Sequence, residues 1–193
     1  RAVVQEVLEK HLKVKLAMEE YYARVGGSIF EELRASCLKA ETADEDSKAL
    51  VLGTAPTPST LRTLALVHAC VLAGEPILLV GETGTGKTTI CQLVSLLMRR
   101  RLRIINCHQH TETSDFLGSY RPTRGSERAA RGGAPFAWED GPLVQALRGG
   151  DMLLVDELSL ADDSVLERLN SVLEPAQLLV LAEKGGEVEE VKA

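Results

Sequence analysis

The residues best suited to chemistry form one run, Gly81-Glu82-Thr83-Gly84-Thr85-Gly86-Lys87-Thr88, which matches G-x-x-x-x-G-K-[ST]. Each part has a physical task. The glycines let the backbone fold tightly, so that successive N–H groups face one point and make an anion nest. A helix that starts there adds the positive end of its dipole. Lys87 is placed to reach the β- and γ-phosphates of a nucleotide, and the Thr88 hydroxyl to ligate Mg²⁺. Gly81 to Thr88, with Thr89 beyond, is therefore the candidate phosphate-binding set.

A second candidate lies at Asp151-Met152-Leu153-Leu154-Val155-Asp156-Glu157, an apolar run that ends in two acids. Two adjacent carboxylates at a buried strand end repel one another unless a cation is near. Asp156 is the expected Mg²⁺ holder, and Glu157 the residue that orients and polarises an attacking water.

These two runs need a scaffold, and the surrounding pattern supplies an alternating one. Ile77-Leu78-Leu79-Val80 reads as a strand buried on both faces, followed by the Gly-rich loop and a helix from Lys87 to about Arg101. Leu102 to Cys107 and Met152 to Val155 read as further strands. Leu143 to Leu147 and Asp162 to Leu173 read as helices. Leu178–Glu183 and Glu187–Val191 flank Lys184-Gly185-Gly186 as a hairpin. Strands alternating with helices predict the α/β class. Upstream, apolar residues at helical spacing predict a helix over residues 1–25, broken by Gly26-Gly27. Ser28 and Glu31 form a capping-box pattern that opens a second helix, to about Ala40. Glu41 to Ser47 reads as an acidic linker, and a boundary is placed near residue 48. Ser59 or Thr60 caps the next helix, which Gly74 stops.

The chain has 193 residues, enough for one domain plus an appendage, and is 45% hydrophobic with 4% aromatics, so the core must be aliphatic. Net charge of −6 argues against a general nucleic-acid binder, and no direct nucleic-acid site is evident, although local basic patches are compatible with it. Arg99-Arg100-Arg101 are expected in the last turn of a helix, as cations favourable to its dipole, or else as a phosphate or RNA contact. Arg121, Arg124, Arg128 and Arg131 are spread through a Gly-rich stretch, either a solvated loop or one facing a partner. Phe136 and Trp138 read as a small hairpin packing into the core. Cys107, His108 and His110 lack a second ligand pair at zinc spacing and do not read as a metal site. Cys37, Cys70, Cys91 and Cys107 show no CxxC pairing and read as reduced, buried thiols of a reducing compartment. No signal peptide or membrane-spanning run is expected. The first residue is Arg1 rather than Met, which leads us to expect a piece of something longer.

Several stretches together are similar to the AAA+ modules of the midasin family: Gly81–Gln92, Asn106–Gly118, Trp138–Val144, and Asp156–Pro175 with Asp162–Glu174 inside it. The resemblance covers roughly residues 60–186, and is much more specific than the two nucleotide motifs, which MoxR-like ATPases and dynein motors share. It implies a P-loop NTPase with a three-layer αβα core, ATP and Mg²⁺ as cofactors, and Lys87 and Glu157 as the catalytic pair. Residues 48–193 would be a partial AAA+ domain. Residues 1–47 would be a helical segment and acidic linker, as at the end of a preceding module's lid. The module most resembled is the third of six in a ring. Family members act in the nucleus, in nucleolus and nucleoplasm, and strip assembly factors from precursors of the large ribosomal subunit. Neighbouring AAA+ modules, pre-60S particles and assembly factors are thus the implied partners, with no membrane. Two alternatives stay open: a structural module that holds nucleotide without turning it over, and a MoxR-type chaperone.

The same resemblance implies a sensor strand, an arginine finger and a C-terminal lid beyond Ala193. In the family's strand order, 5-1-4-3-2, the fourth strand lies between the first and the third. The Walker strands are then expected to lack their family places in an isolated chain, which is expected to be poorly stable. ATP rather than GTP rests on the family, with no N-K-x-D pattern in the chain.

Overall fold

The structure is a computed structural model that describes residues 18–39, 45–123, 135–174, 178–184 and 189–192. The chain divides into two compact units, Arg1–Met98 and Arg99–Ala193. The boundary drawn near residue 48 from the sequence falls inside the first.

The first unit is helical among its described residues. It contains α1 (Met18–Lys39), α2 (Glu45–Gly53), α3 (Pro58–Leu72) and α4 (Lys87–Met98). Its core is aliphatic apart from one ring, with Phe30, Leu33, Val51, Leu64, Val67, Ile90, Leu93 and Val94 buried. Gly26-Gly27 does not break α1, contrary to the sequence expectation, and Ser28 opens no new helix. The reason is tertiary. A β-carbon on Gly26 would lie 1.9 Å from the Leu61 carbonyl oxygen, so the bare backbone is what lets α1 close on α3. The packing of the two helices outweighs the intrinsic helix penalty of glycine, about 1 kcal/mol. Glu45–Ser47, expected in a linker, form the first turn of α2. The cap of α3 also sits earlier than expected. Thr57 is the N-cap, its Oγ1 accepting from Thr60 N at 3.2 Å, and Pro58 occupies the first turn, where no N–H is needed. Gly74, at φ +69, follows the helix end as expected.

Ile77–Val80 is not a strand in the structure. The segment is irregular, with Leu78 75% and Val80 87% exposed. An extended apolar run becomes a strand only when another strand satisfies its N–H and C=O groups, and no described strand lies in its unit.

The second unit is built on β1 (Leu102–Asn106) and β4 (Met152–Asp156), paired in parallel with Leu102 opposite Met152 and Asn106 opposite Asp156. Between them run α5 (Thr113–Leu117), the antiparallel pair β2 (Gly118–Pro122) and β3 (Phe136–Asp140), and α6 (Pro142–Gly149). A 3₁₀ turn (Leu158–Leu160), α7 (Asp163–Leu173) and the antiparallel hairpin β5 (Leu178–Leu181) and β6 (Glu189–Lys192) follow. The core gathers Ile105, Cys107, Phe116, Leu117, Leu143, Val144, Val165, Leu179, Leu181 and Val191. The parallel pair with its crossing helix carries the α/β character expected from the sequence. Phe136 departs from expectation. The hairpin forms, but Phe136 is exposed and Trp138 half-buried. Trp138 packs edge-on against Tyr120, and its indole N–H donates to Asp140 Oδ1.

Candidate nucleotide-binding site

The phosphate loop lies wholly in the first unit, exposed from Gly81 to Thr85. Gly84 and Gly86 adopt φ of +79 and +81, and a β-carbon on either would meet open space. They are therefore required for backbone conformation and not for packing: left-handed geometry costs an L-residue roughly 1–2 kcal/mol. The Thr85 hydroxyl donates to Glu82 O at 2.8 Å and closes the turn. Lys87 Nζ donates to Gly81 O at 2.9 Å and Glu82 O at 2.8 Å, so its ammonium is folded across the loop. Helix α4 begins at Lys87, with Ile90 N bonded to Gly86 O as its first backbone turn. The N–H groups at its start are those that an α-helix leaves without intrahelical partners. Gly81 to Thr89 thus form one turn that leads into α4.

Asp156 and Glu157 lie in the second unit, at the C-terminal end of β4. Asp156 is half-buried and Glu157 exposed. The Glu157 N–H donates to Asp156 Oδ1 at 3.1 Å. Glu157 has φ +54 and ψ +38, one of two described non-glycine residues with positive φ. A residue held there stores on the order of 1–3 kcal/mol of strain, and such strain clusters at functional sites. The conformation turns the chain sharply off the strand and leaves the Glu157 carboxylate outside the sheet.

The parallel register adds a residue that the sequence reading passed over. Asn106 stands opposite Asp156, one position before Glu157, which brings a neutral carboxamide to the same strand edge as the two acids. In sequence Asn106 falls inside the Leu102–Cys107 strand and opens the Asn106–Gly118 stretch without a role of its own, and only the pairing reveals its place. Cys107 follows it, buried, with its N–H bonded to Asp156 O at 2.9 Å. Burial first, then the charges of Asp115 and Asp156, push its thiol above the ordinary cysteine range. The neighbouring histidines form a turn. His108 N–H donates to Thr111 Oγ1 at 2.7 Å, and His108 Nδ1 accepts from His110 N–H at 3.2 Å. No cluster of metal-ligating side chains occurs among the described residues.

The residue chemistry fits a nucleotide with Mg²⁺. The first unit holds an anion nest, a loop-bound ammonium and the Thr88 hydroxyl. The second holds a carboxylate pair on a strand end. Arg121 pairs with Glu139, while Arg124, Arg128 and Arg131 lie outside the described residues. No described helix is long and apolar enough to cross a membrane.

Comparison with known proteins gives the family. Residues 76–193 match the family described as AAA domain, dynein-related subfamily. The whole chain is 38% identical, over 265 aligned positions, to midasin of Dictyostelium discoideum. Midasin of Giardia intestinalis matches 95% of the chain at 37% identity. Part of it, 65%, is 29% identical to protein NorQ of Paracoccus denitrificans, where the match takes in 43% of that protein. The chain spans about 4% of the length of either midasin. It matches one AAA module of those proteins, and it belongs to the dynein-related subfamily of AAA domains.

Proposed function

We propose that the chain is the ATP-binding and ATP-hydrolysing part of one AAA+ module in a midasin-like motor. The observation that carries this reading is the loop itself, with left-handed Gly84 and Gly86, Lys87 folded across it and α4 opening behind it. The loop amides and Lys87 would hold the β- and γ-phosphates, exchanging the Gly81 and Glu82 carbonyls for phosphate oxygens. Thr88 and Asp156 would hold Mg²⁺, which when bound neutralises charge on the phosphates. Glu157 would orient the attacking water and accept its proton.

The wider role follows from the relatives named midasin and from the motif resemblance. The parent would release assembly factors from pre-60S ribosomal particles, in the nucleus, as a chaperone-like remodelling motor of ribosome biogenesis. Neighbouring AAA+ modules of the same chain would be its direct partners, with this one in the third place. Residues 1–47 would close the preceding module's helical lid.

Glu157→Gln in the full-length protein tests the chemistry. Turnover at this module is expected to fall by about 10²–10⁴, the usual worth of a general base, with ATP binding retained. Unchanged turnover would leave a module that holds nucleotide structurally. Loss of ATP binding in Lys87→Ala tests the loop separately.

A further inference from the structure

We infer that Arg99-Arg100-Arg101 form a contact for the phosphate backbone of a nucleic acid, apart from the nucleotide site. The sequence suggests that these arginines belong to the last turn of a helix, but α4 ends at Met98, so they lie beyond it. All three are exposed and make no ion pair among the described residues. Every other described cationic side chain of the second unit is paired: Arg103 with Asp151, Arg121 with Glu139, Arg148 with Asp140 and Glu189, Arg168 with Glu183, and Lys184 with Glu189. In a chain of net charge −6, the triplet is thus a local block of uncompensated positive charge.

Its backbone is also set. Arg99 has φ +52, where a helix end ordinarily places glycine, so its backbone is in a conformation that costs an L-residue on the order of 1–2 kcal/mol. The Arg101 carbonyl accepts from Met152 N–H at 2.8 Å, which pins the other end of the triplet to the start of β4. The adjacent carboxylate, Asp151, is taken up by Arg103 Nε at 2.8 Å. The triplet lies at the N-terminal edge of the β1–β4 pair, and Asp156 and Glu157 at the C-terminal edge. Five residues of strand separate the edges, about 16 Å. A phosphate held here is remote from the carboxylate pair of the same unit.

The partner's class follows from what the patch lacks. Met98 and Leu102 on either side are half-buried, and the next exposed large apolar residue, Ile104 at 43%, stands singly on β1, so the triplet has no adjacent apolar cluster to anchor a protein interface. Juxtamembrane clusters that hold anionic lipid carry about 4–8 basic residues, more than are present. Consecutive guanidinium groups without an apolar anchor suit sugar-phosphate backbone, which they contact without reading sequence.

The test uses the full-length protein in its normal form and with Arg99→Gln, Arg100→Gln and Arg101→Gln combined. Binding to single-stranded RNA and to duplex DNA is read by fluorescence anisotropy across a salt series. Three phosphate contacts on a single strand contribute about 2 to the slope of log affinity against log salt. The variant should lose that part of the slope, so the penalty for a fourfold rise in salt shrinks by about twentyfold. Replacing all three with lysine should restore the slope, because lysine keeps the charge. A response with RNA alone marks RNA as the source, and one with both marks backbone phosphate in general. An unchanged slope with both probes overturns the proposal. So does triplet-dependent binding of polyglutamate in preference to RNA, which would assign the patch to an acidic protein. Nucleotide turnover should be unaltered in the glutamine variant, as a check that the module remains folded.

Discussion

Replacing Gly26 by alanine should loosen the helical first unit, whereas the same change at Gly27 should tighten it. The two glycines are adjacent in α1 and equally costly as helix formers. In isolation, alanine at either gains about 0.8–1 kcal/mol. Their surroundings differ. A β-carbon at Gly27 would lie 3.8 Å from Leu61 Cδ1, an ordinary contact, so the propensity gain is kept. At Gly26 it would lie 1.9 Å from Leu61 O and 2.5 Å from Leu61 C. The obstacle is backbone and cannot swing aside, so α1 and α3 must separate. Forcing extra volume into such packing costs typically about 1–3 kcal/mol. Offset by the propensity gain, Gly26→Ala should be destabilising by up to about 2 kcal/mol, and Gly27→Ala stabilising by up to about 1 kcal/mol. Amide hydrogen exchange over residues 18–39 and 58–72 in the full-length protein reads both, at tenfold in rate per roughly 1.4 kcal/mol of local opening. Exchange should quicken in the first variant and slow in the second. Equal protection in the two variants would refute the idea that Gly26 is bare because α3 lies against it.

Three further outcomes follow from the site and its surroundings. Gly84→Ala should weaken ATP binding more than it weakens the fold, since its cost is a left-handed backbone with open space around it; calorimetric titration against thermal unfolding separates the two. The β5–β6 hairpin should loosen in acid. Arg168 holds the Glu183 carboxyl below the usual glutamate range, and Lys184, with Arg148, does so for Glu189. A depressed carboxyl contributes stability that is present above its unfolded pKa and lost as pH falls through its folded value. Proteolysis within residues 178–192 should therefore rise only below the ordinary glutamate range, and Arg168→Ala should bring that rise to higher pH. Finally, Cys107 should resist alkylation at neutral pH in the folded protein while Cys37, Cys70 and Cys91, all half-buried, react sooner. Burial and the charges of Asp115 and Asp156 keep the Cys107 thiol protonated, and mass spectrometry of a timed alkylation distinguishes the four.

What the sequence by itself determined is what short-range chemistry controls. The phosphate loop is legible because glycine spacing, one lysine and one threonine must be contiguous to surround an anion, and the structure keeps Gly81 to Thr89 together. The run Met152–Asp156 is legible as a strand because apolar residues at that length have few other uses, and the acids mark its end. The α/β class follows from the order of such runs. What only the tertiary structure decided depends on partners distant in the chain. Gly26-Gly27 reads as a break until Leu61 is seen against it. Ile77–Val80 has the composition of a buried strand, yet a strand is a property of a ladder, and the described residues provide none beside it. Tyr120 and Trp138 meet because β2 and β3 pair in antiparallel register. Asn106 reaches the edge that carries Asp156 through the register of a parallel pair alone. The charge balance of Arg99-Arg100-Arg101 depends on which carboxylates other arginines have already taken. Local sequence specifies which groups are available, whereas hydrogen-bond pairing, close packing and charge neutralisation are non-local and are settled only when the chain has folded.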